Sequence, residues 1–438
     1  MPVSDAAKIH RAQLFKAAEL LQRILAASLP ADRQMEVYFR EHRNMGARDR
    51  GFVAETVYGC LRQLNLLEHL AGRCNDGEER ARRLVAVWLL HNAGWGLEEL
   101  EQKGFPVPAA ALAQRVAELD AAALPFPLRA ALPEWLAERL LAQYGDAEAA
   151  ALAAALNRPA PLDLRCNPLR GSREQVARLL ADEGFPAVPT PWSPWGLRRE
   201  SRAPLFRLES FREGWYEVQD EGSQLISLLV APAPREQVVD FCAGAGGKTL
   251  HLGALMNNSG SLFAYDVAPR RLENLRPRLR RAGLHNVRLF AIENEADPRL
   301  QRFAASAHRV LVDAPCSGVG TLRRNPDIKW RTIDLPSLTA TQARILAAAA
   351  RMLRPGGRLV YATCSLLREE NEAVVEGFLR ENPDYRIQPA LEILAGQGIE
   401  IPAAATPEGF LRLTPHRHGT DGFFAAVLHR QVGRVSAA

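Results

Sequence analysis

Long apolar runs, paired cysteines and low-complexity tracts are all missing from this chain of 438 residues. No apolar stretch approaches the roughly 20 residues that a membrane-spanning helix needs, and even Ile345 to Leu353 is interrupted by Arg351. The N-terminal MPVSDAAKIHRAQLFKAAELL is polar and amphipathic and lacks the apolar core of a signal peptide. The expectation is a cytoplasmic protein with no membrane partner. Six cysteines (Cys60, Cys74, Cys166, Cys242, Cys316, Cys364) are scattered with no CxxC pair. That pattern suggests neither a disulfide framework nor a zinc site, and no metal is expected. A cysteine that matters here should matter as a reduced thiol. The length favours two or three domains, and nothing demands more than a monomer.

The charge is unevenly placed. Residues 1–145 carry 18 basic and 18 acidic side chains, whereas residues 241–360 carry 19 basic and 8 acidic ones. An excess of arginine on one segment points to a polyanion, because Lys and Arg gain by displacing counterions from phosphates. Some of Arg270, Arg271, Arg276, Arg278, Arg280 and Arg281 are equally expected to decorate an exposed helix face.

Residues 1–145 read as helical. Leu14, Ala17, Ala18, Leu21 and Leu25 repeat at helical spacing within Ala7 to Ala27, Asp49 to Leu70 does the same, and Leu84 to Leu90 reads as a buried helical turn. His91 and Trp95 read as core or surface fillers. Residues 157–230 change character. Pro161 to Asn167 alternates like a strand, Ser172 with Gln175 forms a capping box opening a helix that stops at Gly184, and strand-like pieces follow at Gly196 to Arg199 and Trp215 to Val218. Cys166 on that first strand reads as a core thiol.

Residues 231–432 alternate strand and helix, which implies a parallel sheet with right-handed crossovers. Strands are expected at Val238 to Phe241, Ser261 to Tyr265, Val287 to Ala291, Arg309 to Val312, Arg358 to Ala362 and Gly422 to Leu428, with helices at Arg270 to Ala282 and Leu338 to Leu353. Ligands of such sheets collect at the C-terminal ends of strands. Gly244, Asp266, Glu293, Asp313 and Cys364 all fall at such ends.

The stretch VVDFCAGAGGKT, Val238 to Thr249, runs from a strand through glycines into a helix. Three ligands compete for it. A dinucleotide needs G-x-G-x-x-G, but Thr249 stands where the third glycine belongs. A nucleoside triphosphate suits Gly247-Lys248-Thr249, but Cys242 stands where the first P-loop glycine belongs. S-adenosylmethionine (SAM) carries no phosphate, needs close backbone approach, and needs an acid for its ribose, a role open to Asp266.

The cysteines discriminate. Asp313-Ala314-Pro315-Cys316-Ser317-Gly318 and Tyr361-Ala362-Thr363-Cys364-Ser365 place two thiols just past strand ends. Neither an NTPase nor a hydride-transfer enzyme has an evident use for that pair. An enzyme methylating C5 of a pyrimidine does: that carbon is a poor nucleophile until a thiolate adds to C6, and the thiol must afterwards be eliminated.

With VVDFCAGAGGKT, Asp266, LVDAPCSGVGTLRRNPDIKW, YATCS and TDGFF in view, the chain resembles the RNA cytosine-5 methyltransferases that include the bacterial RsmB (Sun, Fmu) enzymes and the eukaryotic NOL/NSUN proteins. The likeness covers about residues 157–430. It implies an α/β, class I SAM-dependent methyltransferase with a Rossmann-like parallel sheet, preceded by an all-α NusB-like RNA-binding domain and a small α+β RNA-recognition-like module. It also implies roles. Cys364 matches the nucleophile, Cys316 the cysteine assisting release, and Asp313 a contact to base and cofactor. Cys242, Ala243, Gly244, Ala245, Gly246, Gly247 and Lys248 match the SAM loop, Asp266 the ribose acid, and Glu293 a position near the adenine. Arg323, Arg324, Lys329 and Arg331 are candidates for RNA phosphates. Two positions depart from the family: Gly244-Ala245 replace Ala-Pro in the usual CAAPGGK, and Glu293 replaces Asp. By analogy of domain order the RNA would be 16S ribosomal RNA, with tRNA or another ribosomal RNA as the alternative. From other classes, a P-loop-like NTPase and a non-catalytic RNA-binding assembly factor remain as rivals.

Overall fold

Gln63 interrupts what the apolar spacing predicts as one helix over 49–70: with φ −125° it separates helices Ala47–Arg62 and Leu64–Ala71. The computed structural model describes residues 9–432, apart from 28, 75, 201–203 and the side chain of Arg302. It divides into two units, Met1–Arg158 with Leu322–Thr332, and Pro159–Thr321 with Ile333–Ala438.

The first unit is helical. The helix predicted from Ala7 begins at Arg11, residues 1–8 lying outside the described ones, and runs to Ala26. It buries Leu14, Ala17, Ala18 and Leu21 on one face, as an amphipathic helix should. The turn at Leu84 to Leu90 lies within helix Gly77–Asn92, where residues 84–87 and 89 are all fully buried. Trp95 is a core residue and His91 is half-buried.

Leu322–Thr332 belongs to this unit although it follows the cysteine motif in sequence. The Asp327 carboxylate accepts the Ala31 N–H at 3.2 Å, and the Trp330 indole N–H donates to the Leu61 carbonyl at 2.6 Å. Lys329 is 1% exposed. Its Nζ donates to the carbonyls of Arg62 (2.6 Å) and Ala131 (2.7 Å) and to Asn157 Oδ1 (2.8 Å). Those three oxygens surround the amine as hydrogen-bond acceptors. The assignment of Lys329 to an RNA phosphate is therefore corrected: its amine is buried and engaged within the protein.

The second unit holds two sheets. Strands β1 (Leu162–Cys166), β2 (Val188–Pro189), β3 (Gly196–Arg199) and β4 (Tyr216–Val218) form an antiparallel sheet in the order β2-β3-β1-β4. Ser172 caps helix Arg173–Asp182 with the predicted box: its Oγ accepts the Gln175 N–H, and the Gln175 side chain accepts the Ser172 N–H. Cys166 is fully buried, as a core thiol should be.

The larger sheet contains β5 (Gln237–Asp240), β6 (Ser261–Asp266), β7 (Val287–Ala291), β8 (Ala307–Asp313), β9 (Leu353–Thr363), β10 (Tyr385–Gln388), β11 (Leu411–Leu413) and β12 (Phe423–Arg430). Its order is β10-β12-β9-β8-β5-β6-β7, with β11 on β12. Strands β5 to β9 are mutually parallel and β12 runs antiparallel to β9. The chain winds outward from β5 through β6 and β7, then returns to β8 and β9 on the other side. That reversal makes β5/β8 the topological switch point, where open α/β sheets bind ligands. β9 begins five residues earlier than Arg358 because a bulge in its pairing with β8 absorbs Pro355-Gly356-Gly357, Gly356 taking φ +75°. β2, β10 and β11 are short strands whose sequences carry little alternation to betray them.

Candidate active site

Four strand ends converge on one mouth. From β5 the loop Phe241–Gly246 turns into helix Gly247–Leu255, whose N-cap, Gly246, has φ +85° and offers no side chain to the first-turn N–H groups. A Cβ at Gly246 would lie 2.2 Å from Leu275 Cδ1, so close packing as well as φ favours glycine here. A Cβ at Gly244, where φ is +55°, would meet nothing nearer than the Cys242 carbonyl at 4.0 Å, which leaves that side open.

Asp266, ending β6, is 6% exposed and organises this loop. One carboxylate oxygen accepts the Gly244 N–H at 2.7 Å and the other the Ala268 N–H at 2.7 Å. Half of its acceptor capacity is left for a ligand. Glu293 lies just past β7 and is exposed, its N–H donating to Asp297 at 3.1 Å. Cys242 is half-buried, and burial with help from Asp240, Asp313 and Asp266 pushes its thiol well above the ordinary value. It stays a thiol.

Asp313, ending β8, faces Lys248: Nζ to Oδ2 is 2.7 Å. Burial works against the Lys248 charge, but Asp313, with Cys364 and Asp240, more than offsets this and the amine is raised above its ordinary value. A P-loop lysine would be aimed at a phosphate; this one is held by a carboxylate. The pairing was not legible in the sequence, where Lys248 reads only as part of the loop. Parallel pairing of β8 and β9 sets Asp313 opposite Ala362. The two strands therefore release their loops side by side, and Cys316 Sγ lies 3.3 Å from Cys364 Sγ. Hydrogen bonding to Cys364 and burial push the Cys316 thiol well up.

The loop after Cys316 is pinned to the tail. The Gly320 N–H donates to the Cys364 carbonyl (2.9 Å) and the Gly422 N–H to the Gly320 carbonyl (2.8 Å). A Cβ on Gly320 would sit 2.2 Å from the Gly422 oxygen, so the GVG and TDGFF motifs require glycine at their crossing.

Two further residues escaped the sequence reading. Arg165 on β1, 3% exposed, donates to Gln219 Oε1 and, at 2.6 Å, to the Gly247 carbonyl, tying the small sheet to the glycine loop. Only its place between Leu164 and Cys166 on a half-apolar strand could have flagged it. Asp240, 1% exposed, accepts from the Thr249 hydroxyl at 2.6 Å, and burial raises it to about 7. Much of the local arginine excess is internally paired: Arg278 and Arg281 with Glu217, Arg309 with Glu236, Arg344 with Glu295. Arg270, Arg271, Arg276 and Arg280 are exposed. Arg331 is half-buried and paired with Asp327, and Arg323 and Arg324 are half-buried. Among the described residues no helix is long and apolar enough to cross a membrane, and no His, Cys, Asp or Glu cluster could hold a metal ion.

Comparison with known proteins agrees with this geometry. Residues 227–429 match the family described as 16S rRNA methyltransferase RsmB/F, and residues 132–205 match the RsmF/B-like ferredoxin-like domain. The probable ribosomal RNA small subunit methyltransferase B of Synechocystis is 33% identical over 421 residues, covering 87% of this chain and 91% of that protein. Among solved structures, PH0851 superposes with a TM-score of 0.79 at 27% identity, covering 97% of this chain and 99% of that one. A methyltransferase homologue from Pyrococcus horikoshii does so with 0.61 at 31% identity, covering 71% and 100%. A Rossmann-like parallel sheet, a glycine loop at its switch point and this likeness over nearly the whole length give one conclusion: the chain belongs to the RsmB/F family and is a SAM-dependent ribosomal RNA cytosine-C5 methyltransferase.

Proposed function

We propose that the enzyme forms 5-methylcytosine in 16S ribosomal RNA through a covalent bond between Cys364 and C6 of the target base. The observation that carries this reading is the 3.3 Å approach of Cys316 and Cys364 sulfurs beside the Lys248–Asp313 pair. The choice of 16S RNA is supported by the small-subunit activity in the names of the relatives.

The residues present suit the cofactor. The uncapped first turn at Gly247, the open side of Gly244 and the spare acceptor sites on Asp266 form a cradle for a ligand bearing a carboxylate and ribose hydroxyls. Cys242 to Lys248 and Asp266 would hold it, with Glu293 at the adenine end. Bound there, S-adenosylmethionine supplies an electrophilic methyl group.

The chain's own residues prepare the acceptor. The cytosine must leave its stack, since C6 is otherwise covered. The Cys364 thiolate adds to C6, forming an S–C bond and moving the C5–C6 π electrons onto C5. Asp313 contacts the base as this charge develops, and Lys248 orients its carboxylate. After C5 has been methylated, the C5 proton is removed by a base reached through Cys316. The electron pair it leaves restores the C5–C6 double bond and expels Cys364 as thiolate. The raised pKa of Cys316 suits a group that handles a proton more than one that attacks carbon.

Replacing Cys364 with Ala is expected to abolish both methyl incorporation from labelled cofactor and formation of SDS-stable protein–RNA adduct. Cys316→Ser is expected to accumulate adduct. A Cys364→Ala protein that still trapped RNA, or a Cys316→Ser protein that released product at the wild-type rate, would overturn the assignment.

A further inference from the structure

Glu370 has no part in the chemistry just described, is fully buried, and lies at the meeting point of the two cysteine loops. Its carboxylate receives four donors. The Ser317 N–H (2.7 Å) and hydroxyl (2.5 Å) come from the residue after Cys316, and the Ser365 hydroxyl from the residue after Cys364. The Gln342 side-chain N–H (3.0 Å) is the fourth, and the same nitrogen also donates to the Pro315 carbonyl at 2.9 Å. The two serine oxygens are 3.2 Å apart. Four donors match the lone-pair capacity of a carboxylate, and none of them is a cation. From behind, the Tyr361 hydroxyl donates to the Glu370 backbone carbonyl at 2.7 Å, and Asn371 closes the Ser365 turn through its carbonyl at 3.0 Å.

A buried carboxylate whose hydrogen-bond donors are all neutral is costly unless its geometry returns something. We infer that Glu370 is a positioning residue: through Ser317 and Ser365 it fixes the separation of Cys316 and Cys364, so that the release thiol reaches the adduct that Cys364 forms. An apolar residue could fill the space but could not hold two loops in register from both sides. This rests on the cysteine roles proposed above.

Glu370→Gln keeps the shape but turns an acceptor toward two hydroxyls into a donor. Ser365 Oγ already accepts the Leu367 N–H at 3.1 Å, so its proton loses its place. The test compares wild type, Glu370→Gln, Ser365→Ala and Cys316→Ser on an unmodified small-subunit RNA transcript, with melting temperature as the folding control. Misplacement of reacting groups on this scale costs about tenfold to a hundredfold. Glu370→Gln is expected to lose about that much kcat with KM within about twofold, and to accumulate SDS-stable adduct as Cys316→Ser does. Ser365→Ala, lacking one arm, should shift both readouts in the same direction by less, and serves where Glu370→Gln does not fold.

A second readout needs no RNA. A diazene oxidant takes one hydrogen from each thiol, giving the Cys316–Cys364 disulfide and a hydrazine. Wild type should close it at least about tenfold faster than Glu370→Gln, a loss of preorganisation like that in turnover. Wild-type kcat, no adduct and an unchanged closure rate in Glu370→Gln would overturn the inference. If Cys316→Ser itself failed to trap RNA, the cysteine assignment would fall instead, while the closure rate would still report on Glu370.

Discussion

Among the described residues each unit buries one lysine, and the two are held in opposite ways. Lys248, in the methyltransferase unit, faces the Asp313 carboxylate and is raised above its ordinary value. Lys329, in the helical unit, faces three neutral oxygens, and burial together with Arg62 pushes it well below. A carboxylate partner keeps a charge where chemistry can use its field. Neutral acceptors satisfy the donors of a side chain whose task is to join segments distant in sequence. Here they join Arg62, Ala131 and Asn157 to the Leu322–Thr332 segment of the same unit. In the sequence both lysines sit in motif-like surroundings, GGKT and DIKW, and nothing local separates them.

The comparison can be broken at either end. The largest effect is expected from Lys248→Met, which leaves Asp313 without its cation. Methyl incorporation should fall about a hundredfold, the scale of losing one preorganised donor in an active site. The melting temperature should change little, because the Asp313 side chain is 31% exposed and water can take over. Lys329→Met should reverse the pattern. Three acceptors lose a buried partner, costing roughly 1–3 kcal/mol, seen as a lower urea midpoint for the helical unit, while kcat per folded molecule falls far less than in Lys248→Met. If Lys329→Met lost turnover at an unchanged midpoint, or Lys248→Met lost stability but kept activity, the contrast would collapse.

The smallest effect sharpens it with pH. Asp240 is buried near Lys248 without a cation in hydrogen-bonding contact, and its pKa is raised from 3.8 to about 7. Between those values the folded chain holds a proton that the unfolded chain has released. Stability therefore falls as pH rises through this window, and the loss is complete above about 7. Asp240→Asn imitates the protonated form and should flatten that slope in urea midpoints measured from pH 5 to 8. A slope equal to wild type would assign it to another group.

Motif-bearing parts of the methyltransferase unit were legible before the structure, and for a definite reason. A strand that ends in Asp266, Asp313 or Thr363-Cys364 carries its chemistry where β-periodicity stops, so pattern and function mark the same residue. β7 and β3 were placed to the residue by alternation and flanking breakers. β10, β11 and helix Glu372–Glu381 passed unread, being short or lacking motifs. Glu370 was invisible for another reason. A glutamate in LREENE reads as a solvated charge, and only the packing of two loops around it makes it a buried hub.

By itself the sequence determined the kind of site: a glycine loop without a phosphate-binding pattern, an acid at the next strand end, and two thiols beyond two more. These follow from residue type and spacing, and spacing along a strand survives folding. Tertiary structure alone decided partnership. It brought two sulfurs to 3.3 Å, turned Lys248 to Asp313, and buried Lys329 among carbonyls. Each of those contacts joins residues far apart in the chain, and whether a charge meets a carboxylate, a carbonyl or water is settled only when distant segments pack.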